Sequence, residues 1–342
     1  MSHLNILVSN LALAHLEQRL PGTPGAPSYR WVPIETATPQ QLENIDVAFI
    51  SRDITGLSTK YVLTETTKRF YAALHASRRL KWVHVHSAGL DRPIFGELQA
   101  KGVDVTPSSG ANAEIVAHSA LAGVLSLARR LPQFHRAQAR HEWEPLIEGE
   151  LPRDLNGQTA VVVGWGPIGR HLGRLLGALG LNIVVVRNGG DQAVPEAKAT
   201  VAYDQIKRVL PQADWVVLAC PLSDKTRQLI NAQALSLMQP TSYLVNVARG
   251  EVVAEQALIS ALQAGQIGGA FLDVFEKEPM GKDSPLWDMD QVIVTPHSAG
   301  HSAGNYDRVA DIFIQKLAQW HEPEPAVAPR HAPEMDAHSA KT

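Results

Sequence analysis

Short apolar runs recur along the chain, separated in several places by segments whose apolar residues fall three and four apart. Runs without alternation suit strands buried on both faces, and the wider spacing suits helices that cover them. In the first third, Leu4 to Ser9, Val47 to Ser51, Trp82 to His86 and Val103 to Thr106 are expected strands. Helices are expected over Leu11 to Leu20 and from about Thr64 to Ser77. Ser108-Ser109-Gly110 breaks this pattern, and a long helix is expected over Asn112 to Leu131. Its apolar positions extend nearly all round, which marks it as buried on several sides and as a candidate subunit contact. A polar segment rich in Arg and His runs through Glu150. Strand-like runs follow at Thr159 to Val163, Leu181 to Val186, Asp214 to Ala219, Ser242 to Val247, Gly268 to Leu272 and Gln291 to Thr295, and then a helix over Asp307 to Trp320. Strands alternating with helices predict an α/β fold of parallel, doubly wound sheets joined by right-handed crossovers.

The segment Thr159 to Arg170, TAVVVGWGPIGR, organises the rest. A Val-rich strand runs into Gly164-Trp165-Gly166-Pro167-Ile168-Gly169, the G-x-G-x-x-G turn. Gly164 permits the tight bend, Gly166 lets backbone N–H groups approach a pyrophosphate, and Gly169 lets the following helix pack close to the strand. Ile168, Leu172, Leu175, Leu176 and Leu179 continue at helical spacing, and Gly180 stops the helix. This context makes the turn, including Pro167 and Ile168 at the helix start, a dinucleotide site.

The chain of 342 residues is long for one core, so two domains are expected. The arrangement predicted is a Rossmann dinucleotide-binding domain, residues 109–299, inserted in a smaller flavodoxin-like α/β substrate domain made of 1–108 and 300–342. The last helix then returns to the first domain, and the Pro- and Ala-rich tail from Glu322 reads as an arm or a loosely held end. Hydrophobic residues at 45% and charged ones at 19% describe a globular protein, and a net charge of -3 offers nothing to a nucleic acid or an anionic membrane. The single cysteine, Cys220, excludes an intramolecular disulfide and fits a reducing compartment. With no signal peptide or membrane span in evidence, a cytoplasmic protein is expected.

An acidic residue about twenty positions beyond the glycines marks an NAD site. Here the second strand of the unit ends in Arg187-Asn188-Gly189-Gly190. A guanidinium pairs with a 2′-phosphate where a carboxylate would repel it, so NADP(H) is favoured and NAD(H) remains possible. Asp191 is the alternative ribose partner if the loop folds back. Arg170 is read as a solvated residue of the helix's first turn.

Three later segments place polar residues just after apolar strands, where open α/β sheets bind ligands: Asn246-Val247-Ala248-Arg249-Gly250, Leu272 to Pro279 (LDVFEKEP) and Thr295-Pro296-His297-Ser298-Ala299-Gly300. Arg249, Glu278 and His297 are thereby expected in one cleft. With these segments in order, the chain resembles the D-isomer-specific 2-hydroxyacid dehydrogenases, and the resemblance covers nearly its whole length. Ser87-Ala88-Gly89-Leu90-Asp91 resembles the family's substrate loop, and Asn112 through Ala117 its long helix. The resemblance implies that Arg249 binds the substrate carboxylate, His297 is the acid/base and Glu278 its partner. It implies further that Ala88 and Gly89 contribute backbone N–H groups to the carboxylate, that Cys220-Pro221-Leu222 and Val247 line the cofactor, and that Asp273 accepts from the nicotinamide carboxamide. Chemistry agrees: Arg249 can hold a carboxylate in bidentate geometry, a protonated His297 can supply a proton to the forming alkoxide, and Glu278 would stabilise the imidazolium.

The reaction so implied is NAD(P)H-dependent reduction of a small 2-keto acid such as glyoxylate or hydroxypyruvate to the D-2-hydroxy acid, by a homodimer and without a metal. Cys220 reads as a packing residue, His86 as a satisfied strand histidine, and His118 as a departure from the Glu that many relatives carry. The alternative of another class is a dinucleotide-sensing binding protein, like the transcriptional corepressors that share this fold. Retention of Arg249, Glu278 and His297 argues against it, and Glu278 disfavours formate dehydrogenase, in which a Gln stands beside the His.

Overall fold

In a computed structural model, residues 3–20, 29–59, 61–149, 151–190 and 192–320 are described. The first part forms β1 (Leu4–Val8), α1 (Asn10–Glu17), β2 (Tyr29–Pro33), α2 (Pro39–Leu42), β3 (Val47–Ile50), α3 (Arg52–Thr55) and α4 (Glu65–Ala76). It continues with β4 (Trp82–Val85), α5 (Pro93–Ala100) and β5 (Asp104–Pro107). The five strands are all parallel in the order β2-β1-β3-β4-β5, the doubly wound flavodoxin-like order. Side-chain caps start the helices where the hydroxyls stand: Ser9 Oγ accepts from Ala12 N at 3.0 Å, and Thr64 caps α4.

Helices α6 (Ala113–Ala128) and α7 (Leu131–Arg140) lead to the second sheet. There follow β6 (Thr159–Val163), α8 (Pro167–Ala178), β7 (Asn182–Arg187), β8 (Ala199–Ala202), β9 (Trp215–Leu218), α9 (Ala232–Leu235) and β10 (Tyr243–Asn246). The chain then forms α10 (Glu255–Gln263), β11 (Gly269–Leu272), β12 (Val292–Val294) and α11 (Asn305–Trp320). The seven strands are parallel in the order β12-β11-β10-β9-β6-β7-β8. The order reverses between β6 and β9, and this is the switch point at which a doubly wound sheet binds its ligand.

Each sheet is covered on both faces. Leu172 and Leu176 of α8 and Ala117, Ala120 and Val124 of α6 pack on one side of the larger sheet, and Leu258 and Leu262 of α10 on the other. Helix α11 packs beside α1 on the smaller sheet: the Phe313 ring lies 4.7 Å from Phe49 and 5.4 Å from Trp82. Burying a Phe of this kind is worth about 1.5–3 kcal/mol, and with Val309, Ala310 and Leu317 it holds the end of the described chain against its first strands.

Several boundaries differ from the periodicity reading. The helix expected to reach Leu131 ends at Ala128, because Arg130 takes a left-handed backbone (φ 53°) and separates α6 from α7. Helix α7 lies within the segment read only as polar; Ala137 is its buried residue, so no apolar stripe announced it. Strands β2 and β8 escaped notice because YRWVP and ATVA are short, largely half-exposed and interrupted by Arg30 and Thr200, so neither offers a continuous apolar run. Helix α5 escaped because its short PIFGELQA segment opens on Pro and contains Gly. The tail from Glu322 and Asp191 lie outside the described residues.

Candidate active site

The glycine turn closes β6 onto α8. Gly164 has φ 99°, and a Cβ there would meet the Ala219 carbonyl at 2.6 Å, so the bend admits glycine alone. A Cβ on Gly169 would strike the Gly164 carbonyl, which is how tightly α8 sits on the turn. At Gly166 a Cβ would meet nothing within 4 Å; it would point into the open space a pyrophosphate needs. No acidic residue stands in the first turn of α8, so the helix itself supplies no carboxylate to compete for its N-terminal N–H groups. Residues and shape fit a dinucleotide. Arg170 donates to the Trp165 carbonyl at 3.1 Å. Arg187 ends β7, with Nε 3.4 Å from the Asn188 carbonyl, and Lys225 Nζ donates to Asn188 Oδ1 at 3.1 Å. The sequence reading did not single out Lys225; it lies in another loop, and only folding brings it to the β7 end.

Cys220 and Val247 are buried at the ends of β9 and β10, and burial pushes the Cys220 thiol up to about 12, so it is a packing residue with no thiolate to react. The Pro221 carbonyl accepts from Thr226 Oγ1 at 2.7 Å, which shapes the loop.

Arg249, Glu278 and His297 converge at the strand ends of the larger sheet. Arg249 follows β10, and Gly250 beside it packs so closely that a Cβ would strike the Phe275 backbone. The Arg249 guanidinium crosses to the smaller sheet's loop, with Nε and one terminal nitrogen each 3.3 Å from the Asp91 carboxylate. It lies so near Gly89 that a Cβ there would collide with it. Ser87 Oγ donates to the Gly89 carbonyl at 2.8 Å, which turns the Ala88-Gly89 segment toward the same cleft. Asp91 was legible as part of a motif, but its pairing with Arg249 spans 158 residues and no local signal announced it.

Glu278 sits in a loop held by reciprocal bonds, Glu276 N to Glu255 Oε2 at 2.9 Å and Glu255 N to Glu276 Oε1 at 3.2 Å. Its carboxylate accepts from Phe275 N at 3.1 Å and meets His297 Nδ1 at 2.8 Å. Burial by itself would raise the Glu278 pKa, but the His297 bond and charge, the Phe275 N–H and the Arg249 charge together hold it below its ordinary value. Glu278 is thus a carboxylate at neutral pH, beside an imidazole that is half exposed to the cleft.

His297 has φ 50°, a left-handed backbone for a non-glycine residue. Asp273, 2% exposed, clamps the loop that imposes it. Its carboxylate accepts from Thr295 Oγ1 at 2.6 Å, Ser298 N at 2.8 Å and Ala299 N at 3.0 Å, and its carbonyl accepts from His297 N at 2.8 Å. His84 bonds Thr106 and Ser108 in the core, and His86 Nε2 lies 2.8 Å from Thr55 Oγ1. His118 pairs with Glu114 at 3.8 Å on the surface of α6. Among the described residues, no three His, Cys, Asp or Glu side chains are placed to hold a metal ion, and no helix is long and apolar enough to cross a membrane.

Residues 121–299 match the family model for the D-isomer specific 2-hydroxyacid dehydrogenase NAD binding domain. The chain is 32% identical over 246 residues to a glyoxylate reductase of Korarchaeum cryptofilum, covering 71% of this chain and 73% of that protein. It is 34% identical over 241 residues to an (S)-sulfolactate dehydrogenase of Chromohalobacter salexigens, covering 67% and 74%. Among solved structures, a D-isomer specific 2-hydroxyacid dehydrogenase from Xanthobacter autotrophicus, in complex with NADPH and MES, superposes with TM-score 0.73 at 26% identity over 94% of this chain and 96% of that one. An NADPH-dependent glyoxylate/hydroxypyruvate reductase from Sinorhizobium meliloti, in complex with NADP and malonate, superposes with TM-score 0.69 at 25% identity over 93% and 94%. The chain belongs to the D-isomer-specific 2-hydroxyacid dehydrogenases, a family of NAD(P)-dependent oxidoreductases, and its inserted Rossmann unit is their NAD-binding domain.

Proposed function

We propose that the protein reduces a small 2-keto acid of the glyoxylate or hydroxypyruvate kind to the D-2-hydroxy acid, with NADPH preferred over NADH. The observation that carries this reading is the His297–Glu278 pair at 2.8 Å, facing the cleft in which Arg249 reaches the 87–91 loop. Arg249 binds the substrate carboxylate with its guanidinium fork, and the backbone N–H groups of Ala88 and Gly89 add donors on the other side. His297 holds the proton that passes to the forming alkoxide, and Glu278, kept ionised, steadies the ring's tautomer and its charged form. The bound nicotinamide supplies the hydride. Gly164, Gly166, Pro167 and Ile168 seat the pyrophosphate, Cys220, Pro221 and Val247 line the cofactor, and Asp273 accepts from the nicotinamide carboxamide. We place the substrate domain at 1–108 with 300–342 and the nucleotide domain at 109–299.

The test is the absorbance of NADPH and NADH, followed separately against a panel of 2-keto acids. Oxidation of NADPH by one of them is expected. Binding of both cofactors with no turnover would favour a dinucleotide-sensing protein instead.

The preference for NADPH rests on Arg187, a guanidinium at the position where an acidic residue would mark NAD. Arg187→Asp is expected to move the ratio of kcat/KM for NADPH over NADH by about tenfold or more toward NADH, the scale of one charge-assisted hydrogen bond. An unchanged ratio would put the phosphate contact elsewhere.

A homodimer is supported by the apolar side chains left exposed just after α7, Trp143 at 94% and Ile147 at 80%. Light scattering at micromolar concentration is expected to return twice the chain mass, and a monomeric mass would defeat the assignment.

A further inference from the structure

The backbone of Arg249 is fixed by β10: Asn246 Nδ2 donates to the Arg249 carbonyl at 3.1 Å, and Asn246 Oδ1 accepts from Ala248 N at 3.1 Å. That leaves the side chain to be aimed, because a guanidinium on a flexible stem has many rotamers and loses entropy when one is selected. A guanidinium carries five N–H groups, and three of those on Arg249 are engaged. Nε and one terminal nitrogen each lie 3.3 Å from a different oxygen of Asp91, and the other terminal nitrogen donates to the Ala248 carbonyl at 2.7 Å. Asp91 thus takes the guanidinium side-on. Among the described residues, one N–H is left on each terminal nitrogen, and these are the two donors that an end-on carboxylate takes.

Asp91 is itself anchored on the smaller sheet. Arg92, the next residue, opens α5 and donates to the Ser58 carbonyl at 2.5 Å and the Tyr71 hydroxyl at 3.3 Å. Ser108 N donates to the Ser87 carbonyl at 3.0 Å and pins the start of the same loop. A Cβ on Gly89 would lie 2.8 Å from Asp91 Oδ1 as well as strike the Arg249 guanidinium, so the pair lies across that residue. Two other Arg–Asp pairs are struts of a different kind. Asp46 accepts from Asn5 N at 3.0 Å and from Arg79 at 2.9 Å, and Asp214 accepts from Thr159 N at 2.8 Å and from Arg153 at 2.7 Å. Each ties down the beginning of its sheet's first strand with bonds of ordinary charge-assisted length. The two Arg249–Asp91 contacts are longer and lie in the cleft, with the side chains 25% and 32% exposed.

We propose that Asp91 is a positioning residue for the reduction: by holding one edge of the Arg249 guanidinium, it turns the other edge toward the carboxylate of the 2-keto acid. The proposal rests on the reading of Arg249 as the carboxylate binder given above. A loop of the smaller sheet thereby aims a cation of the larger one. Glu278 also feels the Arg249 charge, and without Asp91 it is the carboxylate to which the fork would turn, at the expense of the substrate. Asp91 acts through Arg249 and makes no bond to the substrate itself, since two carboxylates side by side repel.

The experiment is a double-mutant cycle between Asp91→Asn and Arg249→Gln, read as kcat and KM for the 2-keto acid that the intact enzyme reduces fastest, with NADPH saturating. Asp91→Asn keeps the size of the side chain and removes its charge; KM is expected to rise about tenfold while kcat changes less, the scale of a charge-assisted bond acting through a neighbour. Asp91→Ala is expected to do at least as much and carries the comparison if the first variant does not fold. Asp91→Glu is expected to recover part of the loss, because it restores the charge one methylene further out. In the Arg249→Gln background, Asp91→Asn is expected to cost less than about twofold more, since the group it aims is gone. Losses that simply add in the double variant would make Asp91 a support of the fold and overturn the proposal. A lower KM in Asp91→Asn would overturn it too, by showing that Asp91 competes with the substrate for Arg249. If the Asp91 variants keep the parent KM while Arg249→Gln loses kcat/KM, the positioning role is wrong and the carboxylate reading stands. If Arg249→Gln also keeps kcat/KM, or the intact enzyme oxidises NADPH with no 2-keto acid, the underlying reading fails and the positioning role falls with it.

Discussion

His297→Asn is expected to lower kcat for 2-keto acid reduction by about 10²- to 10⁴-fold, the range that a positioned general acid supplies. Asparagine is the substitution of choice because His297 has φ 50°, and Asn is among the residues that tolerate the left-handed region. The loop should therefore keep the clamp that Asp273 makes with Thr295, Ser298 and Ala299. The side chain of Asn keeps a donor but has no proton to transfer near neutral pH. Binding of NADPH, followed by its fluorescence, is expected to be unchanged, because the glycine turn and the β7 end lie on other strands. A kcat within a few-fold of the parent enzyme would remove His297 from the role of acid. Neighbouring His301 is the natural competitor, but its Nε2 is occupied by Arg52 and its pKa is lowered by burial, so it is the weaker candidate.

Arg249→Gln is the second large effect. It removes a fork that donates toward Asp91 now and toward a substrate carboxylate in the proposed reaction. The expected loss in kcat/KM is about 10²- to 10³-fold, or roughly 3–4 kcal/mol of transition-state stabilisation. Lysine should rescue little, since a point charge cannot make two parallel bonds to a carboxylate. The substitution also leaves Asp91 without Arg249, so thermal unfolding must be measured beside the kinetics. A loss confined to stability, with kcat/KM near the parent value in the folded enzyme, would make Arg249 a strut between the two sheets' loops. A loss in kcat/KM with little change in melting temperature is the result the binding role requires.

Much of this protein is legible along the chain because parallel sheets bury their strands on both faces. Runs such as AVVV at 160–163 and VAFI at 47–50 carry no alternation, and they appear as strands within a residue or so of where the apolar pattern puts them. The glycine turn is equally legible, because Gly164 and Gly169 are required by local backbone geometry that any chain making this bend must satisfy. Elements with weak local signals were lost: β2 and β8 are short and interrupted by Arg30 and Thr200, and α7 buries almost nothing.

Residue types at strand ends determined that Arg249, Glu278 and His297 should meet, since parallel strands deliver all their C-terminal loops to one edge of the sheet. Tertiary structure alone decided what each one touches. Asp91 on Arg249, Asp273 beneath the His297 loop, Lys225 beside Asn188, and His301 on Arg52 are pairings between distant segments. Periodicity reports how a residue relates to its own element, and it is blind to which loop of another element arrives opposite.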